Sequence, residues 1–157
     1  MPPSEAFYTV YTIGHSNLDA ADLVAHLGLH SIELVVDVRA YPYSQYVPWF
    51  DRDRVEYLLT RAGVEYAWMG RELGGMTAEG KLDSVVRERD PEYQQSVKEL
   101  MDLIAARRLA IMCSEGDFNV CHRSTLIAQT LMKHGIRVVH ILTDGGTYEA
   151  EPDLFHG

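Results

Sequence analysis

The sequence predicts an α/β protein, a three-layer sandwich around a mostly parallel sheet of about five strands. Short strand-like apolar runs alternate with stretches of helical spacing along the chain. Capping residues or glycines bound most of the helical stretches. No internal repeat, low-complexity tract or linker breaks the alternation. Strands separated by helices pair in parallel through right-handed crossovers, which puts helices on both faces of the sheet. The 157 residues are read as one domain, 1–157, with a core over about 7–146.

The first strand is read over Phe7–Ile13, where Phe7, Thr9, Tyr11 and Ile13 alternate with Tyr8, Val10 and Thr12. Gly14-His15 then turns the chain, and Ser16 or Asn17 is expected to cap a helix with a stripe of Ala20, Leu23, Val24 and Leu27. Glu33–Val38 suits a strand covered on both faces. Pro42 and Pro48 make Arg39–Phe50 an irregular loop. Asp51 is expected to cap a helix to Arg61 that Gly63 ends, and Val64–Met69 is a third strand.

Gly70–Gly80 reads as a glycine-rich loop. Asp90-Pro91 opens a long helix with Tyr93, Val97, Leu100, Met101 and Ile104 on its core stripe. Leu109–Cys113 is the fourth strand. Ser124 or Thr125 starts a helix terminated by Gly135. Val138–Leu142 is the fifth strand, followed by Asp144-Gly145-Gly146, and His140 within it is expected to face a hydrogen-bonding partner.

A net charge of −9 argues against bulk nucleic-acid binding, which needs a basic face. No apolar run approaches the roughly 18 residues of a membrane span. The opening Met1-Pro2-Pro3-Ser4-Glu5 lacks the basic and apolar regions of a signal peptide, so a cytoplasmic protein is expected. In that compartment the two cysteines, Cys113 and Cys121, are not expected to form a structural disulfide.

In a parallel sheet, the polar clusters that follow each strand fall along one edge, where α/β proteins bind ligands. Those clusters are Gly14-His15-Ser16, Asp37 with Arg39, Arg71-Glu72, the loop from Cys113 to Ser124, and Asp144. Within the cysteine loop, Arg123 and Ser124 sit where a helix begins, and unpaired N–H groups there favour an anion. Arg123 can add charge-assisted bonds to phosphate, sulfate or carboxylate. Cys121 lies two residues earlier, a setting that raises thiolate content.

Cys113 ends a buried strand and is read as a neutral core thiol. Glu115 and His15 are candidate proton-transfer groups, whereas Asp117 reads as a turn former. Asp37 and Arg39 either satisfy each other or orient the anion site between them. Gly74 and Gly75 either let backbone approach a ligand or form a plain turn. A zinc set of Cys113, Cys121, His122 and His15 matches no finger or ribbon spacing, so neither metal nor cofactor is expected.

The ordered motifs "TIGHS", "VVDVRAYPYS", "ELGG", "MCSE", "CHRS" and "HILTDG" closely resemble the family called domain of unknown function 488, from about Thr12 to Gly145. The resemblance implies motif positions at Gly14, His15, Ser16, Asp37, Arg39, Ser44, Leu73, Gly74, Gly75, Cys113, Glu115, Cys121, His122, Arg123, Asp144 and Gly145. A looser likeness is to rhodanese-type sulfurtransferases, through Asp-Val-Arg after a strand and Arg-Ser at a helix start. The spacing departs from theirs: nine residues separate Cys113 from Arg123, and one separates Cys121 from it.

The residues therefore point to an enzyme, a hydrolase or transferase, acting on a phosphate-bearing or other anionic small molecule, nucleotide-like, at the strand-end edge. Cys121, Glu115 and His15 would be catalytic. Arg123, Arg39, Asp37, Ser124, His122, Ser16, Gly74 and Gly75 would bind. The alternative is a non-catalytic module that binds a nucleotide or a protein.

Overall fold

The computed structural model of the chain describes residues 8–15, 18–39, 42–43, 48–73, 90–113 and 122–152, with side chains from residue 126 onward in the last segment. Among them are six strands: β1 (Thr9–Gly14), β2 (Leu34–Asp37), β3 (Glu65–Trp68), β4 (Leu109–Cys113), β5 (Arg137–Ile141) and β6 (Thr147–Glu149). The helices are α1 (Ala20–Leu29), α2 (Arg52–Arg61), α3 (Gly70–Leu73), α4 (Pro91–Ala106) and α5 (His122–Lys133), with a 3₁₀ turn at Pro48–Phe50.

The strands form one sheet in the order β3-β2-β4-β1-β5-β6, parallel except for β6. The chain steps from β1 through β2 to β3 in one direction along the sheet, then returns through β4 to β5. Right-handed crossovers running in opposite directions lie on opposite faces. The packing agrees: Leu23, Leu27, Val55 and Leu59 of α1 and α2 meet Ile13, Val35, Ala110 and Met112 in one core. Val97, Leu100, Ile104 and Leu131 of α4 and α5 meet Val10, Val36, Leu109 and Ile111 in the other. Successive β4 residues thus serve opposite faces, and the strand is buried throughout.

The three-layer sandwich is as expected, with a sixth strand added. β6 is short, antiparallel and exposed at all three positions, so it carries no apolar alternation to read. The cap of α1 is Asp19, whose side chain accepts from the Asp22 N–H at 2.7 Å in a capping box with Asp22, so neither Ser16 nor Asn17 is the cap. Asp51 stands before α2 without capping it through its side chain. Gly70–Leu73, expected to open a loop, is a helical turn, and α5 begins at His122, two residues before Ser124. Proline at the first turn and Asp90 accepting from Glu92 N–H do start α4 as expected.

His140 and Thr12 are register partners on β5 and β1, and their side chains meet at 2.6 Å in a buried bond. The partner expected for His140 is therefore Thr12. Burial alone pushes the imidazole down to about 4, so the neutral ring is the one held in the fold.

Candidate functional site

At the C-terminal end of β2 the chain folds back on its own side chain. The Arg39 N–H donates to Asp37 Oδ1 at 3.0 Å, the local turn that an aspartate at a strand end favours. The Arg39 guanidinium then returns over the same carboxylate as a two-pronged pair, Nε to Oδ1 at 2.9 Å and Nη2 to Oδ2 at 2.7 Å. Tyr66, on the neighbouring strand β3, adds its hydroxyl proton to Asp37 Oδ2 at 2.5 Å. Asp37 and Arg39 are buried, so the pair sits where an unmatched charge is expensive.

Burial by itself lowers the arginine's pKa, yet the Asp37 bonds and charge outweigh it and the guanidinium is held above its usual value. Burial, then the Asp37 charge, raise the Tyr66 phenol well above its usual range, so it stays a donor.

The remaining guanidinium edge ties this pair to β1 and to the loop before α2. Arg39 Nη1 donates to Phe50 O at 2.7 Å and lies 3.4 Å from His15 Nε2. A guanidinium has protons only to give, so Nε2 is the accepting nitrogen and the proton of the neutral ring belongs on Nδ1. His15 is stacked on Phe50 with ring centroids 4.6 Å apart, and its N–H donates to Cys113 O, extending the β1–β4 ladder by one residue. It is 6% exposed. On the far side, Trp68 Nε1 donates to Arg39 O at 2.8 Å, and Arg52 lies over the indole.

His15, Asp37 and Arg39, singled out in the sequence, are therefore in one network, and Asp37 and Arg39 do satisfy each other. Phe50 joins it, and Tyr66, Trp68 and Gly70, which were not singled out, complete it. Tyr66 and Trp68, alternating on an edge strand with polar tips, are the signal that could have drawn attention to two of them. Gly70 supplies room: a Cβ there would sit 1.8 Å from Arg39 O.

The fold also sets where this network lies. β1 and β4 are neighbours in register, Gly14 opposite Cys113. From their ends α1 leaves to one face and α5 to the other, the kind of switch point at which α/β sheets in general carry a ligand crevice. His15 borders it on the β1 side, and the first turn of α5 begins at His122 on the β4 side.

Ser16, Gly74, Gly75, Glu115, Asp117 and Cys121 lie outside the described residues, as do the side chains of His122, Arg123 and Ser124. The zinc set falls there in part; among the described residues no group of three His, Cys, Asp or Glu is placed to hold a metal. Cys113 is buried in the core, as read from the sequence. Asp144 and Gly145 make the β5–β6 turn: Gly146 N–H donates to Asp144 Oδ1, and Gly145 has φ of 89°. No helix among the described residues is long and apolar enough to cross a membrane.

The model of the family described as "Domain of unknown function DUF488" matches residues 19–131, and the chain belongs to that family. No curated protein and no solved structure matches it, so the rhodanese likeness gains no support.

Proposed function

We propose that this DUF488-family chain is an enzyme, a hydrolase or transferase, that acts on a phosphate-bearing or other anionic small molecule at the β1–β4 crevice. One observation carries the reading: a buried histidine, His15, is fixed by Arg39 and Phe50 at the mouth of that crevice, opposite the start of α5. Keeping an imidazole immobile and nearly buried at a ligand-binding edge suits a group that must meet a reacting atom in one orientation.

In this reading the first-turn N–H groups of α5, with Arg123, Ser124 and His122, hold the anion. Ser16, Gly74 and Gly75 contribute to the walls. Asp37 and Arg39 act through His15: every bond found for the guanidinium goes to the protein, so the pair positions the imidazole. Cys121, one residue ahead of α5 in the sequence, attacks the electrophilic centre as thiolate. Glu115 protonates the leaving group, with His15 as the neutral group that orients the substrate beside it, and water or an acceptor then releases the covalent intermediate.

The test is a thermal-shift screen of the full chain against nucleotides, inorganic phosphate and thiosulfate, with mass analysis of each ligand that stabilises it. A stabilising anion that is chemically converted, with conversion lost in Cys121→Ser and binding weakened at least about tenfold in Arg123→Ala, is the expected result. Binding without conversion would instead fit a non-catalytic nucleotide-binding module. If no anion stabilises the chain, both readings fall.

A further inference from the structure

A second concavity opens on the α4 side of the sheet, at the end of β3. It is a cleft of about 450 Å³ between Trp68 and Met69, the α3 turn and the first turns of α4. Three glutamates, Glu72, Glu92 and Glu99, line it, and among the described residues no lysine or arginine does. Arg71, its own side chain 78% exposed, lies 3.9 Å from Glu72. Glu92 and Glu99 have no cationic partner among the described residues.

Ser96 is the independent sign of a ligand. It lines the same cleft, is 6% exposed, and its hydroxyl has no hydrogen-bond partner among the described residues. Buried hydroxyls are ordinarily satisfied; one left open at a cleft is a contact awaiting its partner.

We propose that this cleft binds a small aliphatic polyamine, with Ser96 accepting one ammonium N–H while Glu92 and Glu99 take the others. An ammonium has three donors and no acceptor, which matches a lining of carboxylates and one hydroxyl. The acids stand apart, and no three of the described His, Cys, Asp or Glu side chains converge as metal ligands do, so a point cation is the poorer match. Glu92 and Glu99 are seven residues apart on one helix face, about 10 Å along the axis, a length that an extended triamine covers. Met69 offers apolar wall to its methylenes, with Trp68 at the edge of the cleft. This site is separate from the β1–β4 crevice and does not depend on the reading given for it.

Calorimetric titration of the full chain with spermidine, at an ionic strength of about 0.15 M that screens diffuse attraction, tests it. The expected result is saturable one-to-one binding, weakened roughly threefold to tenfold in Ser96→Ala and at least about tenfold in Glu92→Gln with Glu99→Gln. Ser96→Ala should also raise the unfolding midpoint of the ligand-free chain, because it deletes a buried hydroxyl that has no partner. Glu56→Gln, on α2 across the sheet, should leave the affinity unchanged. Absence of saturable binding overturns the proposal, as does an affinity that ignores Ser96→Ala or falls equally in Glu56→Gln.

Discussion

Replacing Gly70 by alanine separates helix propensity from space. Gly70 is the first residue of α3 and its φ is not positive, so alanine suits its backbone. Propensity alone would make the change stabilising by about 1 kcal/mol. The added Cβ, however, would lie 1.8 Å from Arg39 O, 2.5 Å from Trp68 Nε1 and 2.6 Å from the Arg39 carbonyl carbon. Real Cβ atoms essentially never approach within 3.0 Å, so the Arg39 backbone must retreat by more than an ångström. That retreat breaks the 2.8 Å bond from Trp68 and strains the chain carrying the guanidinium.

Overpacking of this kind costs about 1–3 kcal/mol, and the lost hydrogen bond about 1 kcal/mol more. Against the propensity gain, the net is a loss of about 2 kcal/mol. For a chain of this size that lowers the thermal midpoint by roughly 4–8 °C. Urea unfolding followed by circular dichroism should show a lower midpoint at unchanged slope. Gly28→Ala in α1 is the control: nothing lies within 4 Å of its Cβ, and the same substitution should stabilise by about 0.5–1 kcal/mol. A Gly70→Ala protein as stable as the parent would refute the reasoning.

Asp37→Ala strands a buried guanidinium and removes the acceptor of Tyr66, so it should destabilise by about 3–5 kcal/mol in urea unfolding; a loss below about 1 kcal/mol would deny the pair its structural role. His140 titrates near 4 folded and near its ordinary 6.5 unfolded, so only the unfolded chain takes up its proton between those values. Stability should therefore fall as pH drops from about 6.5 to about 4 and level off below, and His140→Gln should lose that contribution; identical pH curves for the two proteins would contradict it. Iodoacetamide at neutral pH should alkylate native protein at Cys121 and spare Cys113, which is 3% exposed, whereas unfolded protein should be alkylated at both. Peptide mass mapping that finds Cys121 unmodified in the native chain would remove the thiolate from the proposed reaction.

The sequence by itself determined the alternation of strands and helices, and with it the layers, because hydrophobic spacing and caps are local properties. Val36 and Asp37 read as the end of a covered strand and are that; Asp90-Pro91 reads as a helix start and is that. Asp37, Arg39 and His15 were legible as polar residues at strand ends. Only the tertiary structure decided what they touch. The order β3-β2-β4-β1 brings Tyr66 to Asp37, and a loop containing two prolines brings Phe50 O to Arg39 and its ring to His15. Strand order and loop return are set by the sum of long-range packing, which leaves no period in the chain to read. For the same reason Gly70 looked like loop glycine, although the carbonyl that requires it lies 31 positions earlier.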